Sequence, residues 1–300
     1  LEAKLQRLED LVQQVVDAER EGFDSFWFVQ IFGADPLTAI AVAGMRTERI
    51  ELGVCVVPTY PRHPFALAQQ ALTVQAATGG RLTLGIGPSH KLVIENMLGL
   101  SYDQPASHVR EYLSVLRPLV NEGRVAFSGQ HFRVAGGLGV PGATPFPILI
   151  SALAPMMLRV AGELADGTVT WMTGPRTLKD HVVPRINAAA EAAGRPRPRV
   201  CAGLPVCVTD DAGQARERAG QEFQVYGQLP NYRRMLDREG AAGPADIAIV
   251  GNEEQVEAQV RAFAAAGATD LAASIFPAGG DEAASLARTR AFLRGLVGKV

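Results

Sequence analysis

An apolar run that ends in three prolines constrains the fold of this chain more than any other stretch. It reads I-E-L-G-V-C-V-V-P-T-Y-P-R-H-P from Ile50 to Pro64. Its first half is apolar on both faces, which is typical of a parallel strand covered by other elements on each side. The strand stops at Pro58, and Pro61 and Pro64 exclude a strand or helix between them, so a loop follows the carboxyl end of the strand. Proteins with alternating strands and helices place their ligand sites at that end.

Strands and helices alternate along the rest of the chain, which indicates an α/β fold with a parallel sheet. The seven predicted core strands are residues 23–29, 50–57, 82–86, 147–151, 167–171, 199–208 and 270–276. A small hairpin outside the main sheet is predicted at 125–127 and 131–134. No strand precedes the first predicted helix, residues 3–21. A closed barrel would therefore need one more strand upstream of Leu1.

Composition narrows the class of protein. Hydrophobic residues make up 47% of the chain, enough for a large core, and no linker or low-complexity segment interrupts residues 1–300, so a single domain is predicted. The net charge of −2, with both signs interspersed, argues against binding to nucleic acid or to an anionic membrane. The 3 cysteines lie in apolar runs, which fits a reducing cytoplasm. We expect a cytoplasmic protein that acts on a small molecule.

Three segments resemble the bacterial luciferase-like monooxygenase superfamily, and in particular its actinobacterial coenzyme F420-dependent oxidoreductases. They are E-R-I-E-L-G-V-C-V-V-P-T-Y-P-R-H-P (48–64), G-G-R-L-T-L-G-I-G-P-S-H (79–90) and A-G-E-L-A-D-G-T-V-T-W-M (161–172). The resemblance extends from about Leu5 to Phe276. Because members of this superfamily are TIM (β/α)8 barrels, it implies an α/β barrel whose first strand is missing from this chain, with small insertions.

The resemblance implies an oxidoreductase that transfers hydride between a deazaflavin, coenzyme F420, and a small organic substrate. An FMN-dependent monooxygenase that uses O2 is the alternative within the superfamily, and a barrel that binds a ligand without turnover is the alternative among non-enzymes. A metal-dependent hydrolase would need His, Asp or Glu at the strand ends. These ends offer residues such as Gln30, Gly87 and Phe276, so no metal site is expected. A homodimer is implied by the resemblance alone.

The resemblance also implies which residues contact the cofactor. They are Cys55, Val56, Val57, Gly85, Gly87, Ser89, Ser151, Ala152, Leu153, Ala154 and Trp171. A bulge with a cis peptide between Cys55 and Val56 would back the ring, whereas an ordinary buried strand is the structural alternative. Gly85 and Gly87 would let the backbone approach a ligand, or simply form a tight turn. The segment 151–154 would bind the cofactor's phosphate, or simply cap a helix. Trp171 could pack against the cofactor ring or could be a core residue.

Two histidines follow strand ends and are candidate catalytic residues, because histidine exchanges a proton near neutral pH. They are His90 and His63, and His90 takes the position where sugar-phosphate dehydrogenases of this superfamily carry a carboxylic acid. His108, His131 and His181 are predicted to lie on the surface.

The end of the first predicted strand departs from the superfamily pattern. Gln30 and Ile31 stand where many relatives carry an Asp-His pair, so a mechanism that relies on that histidine does not apply here. A different substrate is therefore expected. Gln30 and Tyr60 are the predicted substrate contacts.

Overall fold

The structure is a computed structural model that describes residues 6–300. Its described residues form two compact units, one of residues 6–152 and 160–166 and the other of residues 153–159 and 167–300. The single-domain organisation stays a prediction. No helix in the described part of the chain is long and apolar enough to cross a membrane.

The first unit combines a parallel sheet with helices and a separate hairpin. Its elements are α1 (Leu8–Glu21), β1 (Ser25–Phe28), α2 (Pro36–Gly44), β2 (Glu51–Pro58), α3 (Pro64–Ala77), β3 (Leu82–Gly87), a π-helical segment (Leu92–Met97), α4 (Pro105–Glu122), β4 (Arg124–Ser128), β5 (Arg133–Gly137) and β6 (Ile148–Ser151). Strands β1, β2, β3 and β6 pair in that order and all run parallel. Strands β4 and β5 form the antiparallel hairpin.

Local sequence explains where the helices of this unit begin and end. Helix α1 ends at Gly22, whose φ of 88° lies in the left-handed region that favours glycine. The Asp35 side chain accepts a hydrogen bond from the Thr38 N–H and so caps α2, with Pro36 in the first turn. Because β1 and β2 run parallel, the loops that follow them lie at the same end of the sheet.

Arg81 connects the opposite end of this sheet. Its guanidinium donates to the carbonyl oxygens of Thr78, Ile50, Gly44 and Thr47, at 2.7, 3.0, 2.7 and 2.8 Å. A fifth bond reaches the Thr47 hydroxyl at 3.0 Å. One side chain therefore ties the ends of α2 and α3 to the starts of β2 and β3.

The second unit also alternates strands and helices. Its elements are β7 (Gly167–Trp171), α6 (Pro175–Thr177), a π-helical segment (Leu178–Val182), α7 (Val183–Ala192), β8 (Arg199–Val208), α8 (Ala212–Glu222), α9 (Gln224–Gln228), α10 (Pro230–Glu239), α11 (Pro244–Ile247), β9 (Ile249–Gly251), α12 (Glu253–Ala265), β10 (Asp270–Ile275) and α13 (Glu282–Leu296). Helix α5 (Pro155–Leu164) has residues in both units. Strand β8 pairs with β7, β9 and β10, all parallel.

All seven predicted core strands are present, and the predicted hairpin is β4–β5. Strand β9 was not predicted, because three residues are too few to show a period. Within the described residues no strand precedes α1, and the first residues of the helix predicted at 3–21 lie outside the described residues. The helix predicted at 90–98 is the π-helical segment Leu92–Met97.

Candidate active site

Strand β2 carries a bulge near its carboxyl end. Its pairing with β3 runs to Val54 and resumes at Val57, and its pairing with β1 ends at Val54, so Cys55 and Val56 have no partner in either register. The peptide bond between these two residues is cis, as the resemblance implied. Bulges of this kind are frequent beside active sites.

Cys55 is a thiol that stays protonated. Its Sγ donates to the carbonyl oxygen of Phe28 at 3.5 Å, and burial raises its pKa to about 12. A nucleophilic cysteine needs a lowered pKa, so this residue has a packing role beside the bulge.

The glycines of β3 accommodate neighbouring protein atoms. A Cβ on Gly85 would lie 2.1 Å from the carbonyl oxygen of Val54, and one on Gly87 would lie 2.2 Å from the Ser151 hydroxyl oxygen. Gly85 therefore lets β3 pack against the bulge, and Gly87 makes room for Ser151 on β6. Ser89 follows with a φ of 63°, a left-handed conformation that is uncommon for a residue with a side chain.

Gln30 follows the end of β1 by two residues, and its side chain has a polar atom without a hydrogen bond in the described part of the chain. Its Oε1 is buried and has no hydrogen-bond partner among the described residues. Because the register of β1 and β2 pairs Phe28 with Val54, Gln30 lies beyond that pair, at the level of the bulge. An orphaned buried oxygen is costly, which points to a donor on a ligand.

The two candidate catalytic histidines differ in their surroundings. His90 is half-buried, and burial lowers its pKa, so its imidazole is neutral at pH 7. His63 is exposed, and its Nδ1 accepts a hydrogen bond of 3.3 Å from the Phe65 N–H, which caps α3. A structural role as the cap of α3 therefore accounts for His63.

Tyr60, a predicted substrate contact, is rigidly held. Its hydroxyl donates to the carbonyl oxygen of Asp103 at 2.8 Å, and its ring stacks on that of His108 at 3.9 Å between centroids and 8° between planes. The Tyr102 hydroxyl donates to the carbonyl oxygen of Ser89 at 3.0 Å, and its ring lies 5.2 Å from that of Tyr60. An aromatic cluster therefore covers the loops after β2 and β3.

The predicted surface position of His108 was wrong. Its side chain is buried, with 6% of the residue exposed, and its Nε2 lies 3.1 Å from the Thr59 hydroxyl oxygen. Its pKa is lowered to about 4, mainly by burial and also by nearby His131, while Glu111 acts in the opposite direction. His108 lies on the inward face of α4, four residues before the buried Tyr112. That helical spacing was the sequence signal that would have identified it.

The other two histidines also lie deeper than predicted. His131 is half-buried, and its Nε2 is buried without a partner among the described residues. The Glu111 carboxylate holds the loop around it by accepting the backbone N–H groups of residues 130–132, at 2.8, 2.7 and 3.1 Å. His181, in the second unit, has only 2% of its surface exposed. Its Nε2 donates to the carbonyl oxygen of Leu153 at 2.7 Å.

The remaining predicted contacts lie at strand ends. Ser151 ends β6 and Ala152 follows it in the first unit. Leu153, Ala154 and Trp171 belong to the second unit, where the indole N–H of Trp171 is buried without a partner among the described residues. The structure therefore brings the predicted residues of β2, β3 and β6 together, and residues 153, 154 and 171 are placed only within their own unit.

Comparison with known proteins identifies the family. The sequence matches the luciferase-like monooxygenase family over residues 1–270. The chain belongs to this family of enzymes. A relative of known activity is the 5,10-methylenetetrahydromethanopterin reductase of Archaeoglobus fulgidus, which is 31% identical over 77% of this chain and 70% of its own length.

Solved structures of luciferase-like proteins share the fold. The coenzyme F420-dependent tetrahydromethanopterin reductase of Methanopyrus kandleri superimposes with a TM-score of 0.80 at 22% identity, covering 98% of this chain and 95% of its own. The oxygenating component of 3,6-diketocamphane monooxygenase from Pseudomonas putida, in complex with FMN, gives a TM-score of 0.73 at 18% identity, covering 96% and 91%. These similarities confirm the predicted α/β barrel class.

Proposed function

We propose that this luciferase-like protein is an oxidoreductase that transfers hydride between a deazaflavin, coenzyme F420, and a small organic substrate. The observation that carries the proposal is the bulge of β2, which keeps Cys55 and Val56 out of both neighbouring registers. The reductase of Methanopyrus kandleri, named for its dependence on coenzyme F420, supports the choice of cofactor.

The residues around the bulge fit a planar ring with polar edges. The orphaned oxygen of Gln30 offers an acceptor to such an edge. Val57 and Ile86 are fully buried and would help to exclude water from the ring. When bound, the cofactor supplies the hydride chemistry, and the protein supplies orientation and a dry environment.

His90 is the side chain proposed to exchange a proton with the substrate. Because burial lowers its pKa, its neutral imidazole is suited to accept the proton of a substrate hydroxyl that is being oxidised. In the opposite direction the protonated ring would return that proton. His63 is not needed for this step, since its Nδ1 caps α3.

An FMN-dependent monooxygenase is the second candidate. The FMN-bound diketocamphane monooxygenase component has the same fold, and FMN carries the same kind of polar ring edge as coenzyme F420. The residues around the bulge therefore suit either ring.

Titration of the purified protein with coenzyme F420, and with FMN in parallel, tests the proposal through quenching of cofactor fluorescence. We expect micromolar affinity for coenzyme F420 and weaker affinity for FMN. Preference for FMN would favour oxygen chemistry instead. Binding of neither cofactor would overturn the proposed function.

A further inference from the structure

The side-chain oxygen of Gln30 is the buried polar atom of the first unit that points most directly to a ligand. The residue is half-buried, yet its Oε1 is shielded from solvent and accepts no hydrogen bond from the described residues. A buried oxygen without a donor destabilises the folded protein. The unpartnered oxygen of Gln30 therefore lowers the stability of the ligand-free protein, and a bound hydrogen-bond donor would restore it.

The position of Gln30 relates it to the bulge. In the register of β1 and β2, Phe28 pairs with Val54, and the Phe28 carbonyl oxygen lies 3.5 Å from Cys55 Sγ. Gln30 follows Phe28 by two residues. Gln30 thus follows β1 at the same end of the sheet as the bulge, where β2 leaves Cys55 and Val56 out of register.

The chemistry of these groups matches one part of a flavin or deazaflavin ring. The pyrimidine edge of either ring is an imide, in which one N–H lies between two carbonyl groups. A complementary protein group for that N–H is a hydrogen-bond acceptor, and Gln30 has one buried acceptor without a donor among the described residues. A neutral amide also binds a neutral imide without burying a charge.

We propose that Gln30 accepts the imide N–H of the bound ring, and so acts in cofactor binding and not as the predicted substrate contact. This inference rests on the proposed function, because it concerns the same cofactor.

The test combines one substitution in the protein with one chemical change in the ligand and measures whether their effects on binding depend on each other. Dissociation constants are measured by fluorescence quenching for FMN and for FMN methylated at the imide nitrogen, or for the corresponding deazaflavin pair if the protein binds only that ring. Wild type and Gln30→Met are compared, because methionine keeps the length of the side chain but has no amide. Gln69→Met, on the exposed face of α3, is the matched control.

We expect wild type and Gln69→Met to bind the methylated ring about tenfold more weakly than the parent ring, the ratio that one hydrogen bond typically provides. Gln30→Met should bind both rings with similar affinity, about tenfold below wild type with the parent ring. Two results would overturn the inference and leave the proposed function standing. One is an equal ratio of the two dissociation constants, methylated over parent ring, in wild type and Gln30→Met. The other is an affinity of Gln30→Met for the parent ring that equals that of wild type. Binding of neither ring by wild type would overturn both.

A second measurement needs no cofactor. Removal of an unpartnered buried oxygen should raise the melting temperature of the ligand-free protein, whereas a side chain that supports the fold would lower it when truncated. Gln30→Met should therefore melt at a higher temperature than wild type. A lower melting temperature would show that the Gln30 amide has a structural partner, which would contradict the inference.

Discussion

At the scale of single residues, His108 shows how burial fixes the state of a titratable group. Its ring is stacked on Tyr60 and lies 3.1 Å from the Thr59 hydroxyl oxygen. Because its pKa falls to about 4, the ring is neutral in the folded protein throughout the physiological pH range. Neutrality keeps a positive charge out of the aromatic cluster that covers the loops after β2 and β3.

This pKa predicts a pH dependence of stability. In the unfolded chain His108 has an ordinary pKa of about 6.5 and binds a proton below it, whereas in the folded state it does so only below about 4. Its contribution is therefore complete above pH 6.5 and is lost as the pH falls from there towards 4. We expect the free energy of unfolding of wild type, measured in urea, to fall by about 1–3 kcal/mol more than that of His108→Phe across this window. Parallel pH profiles for the two proteins would contradict a buried neutral histidine.

Local sequence rules account for some single-residue features of the structure. Asp35 and Pro36 begin a helix as capping rules require. His108 was wrongly predicted to lie on the surface because histidine is polar. Its spacing of four residues from Tyr112 follows the buried face of α4. The orphaned oxygen of Gln30 could not be predicted, since it depends on which donors the folded chain leaves nearby.

At the scale of elements, Arg81 joins two helix ends to the strands beside them. Its guanidinium makes five hydrogen bonds, four of them to backbone carbonyl oxygens. The sequence does not reveal this role, because carbonyl groups from distant segments converge on Arg81 only in the folded protein.

Arg81→Met should remove these bonds and leave the carbonyl oxygens without a charged donor. We expect the free energy of unfolding to fall by about 3 kcal/mol or more, since hydrogen bonds to charged groups each contribute about 1.5–3 kcal/mol and are only partly additive. Arg81→Lys should recover a minor part of the loss, because an ammonium group cannot reproduce the planar set of donors. Urea denaturation of the three proteins measures this, and a lysine variant as stable as wild type would refute the geometric argument.

Gly85 shows why an element can require a glycine for packing. A Cβ there would lie 2.1 Å from the carbonyl oxygen of Val54, so Gly85→Ala must displace the backbone of the bulge. We expect a loss of about 1–3 kcal/mol in unfolding free energy, the usual cost of overpacking. Gly139→Ala is the control, because no atom lies within 4 Å of its added Cβ. Equal stability of the two variants would show that the bulge tolerates a side chain.

At the scale of the whole molecule, the sequence predicted the strands well and the site only in part. Strands that are apolar on both faces, separated by Gly and Pro, identified all seven core strands. The bulge at Cys55 and Val56 came from the resemblance and not from the residues, because a bulge depends on the register with neighbouring strands. Gly85 and Gly87 were recognised as important, but the structure explains them by contacts with Val54 and Ser151.

Cofactor binding should stabilise the entire fold, because a ligand that binds only the folded state shifts the unfolding equilibrium. At a cofactor concentration of about 100 times the dissociation constant, the gain is about 2.7 kcal/mol, which raises the melting temperature by about 5 °C in a chain of this size class. We expect coenzyme F420 to produce this shift in wild type and in Gly139→Ala. In Gly85→Ala, whose bulge is displaced, the same concentration should produce a much smaller shift. A full shift in Gly85→Ala would mean that the ring binds away from the bulge, which would contradict the site proposed here.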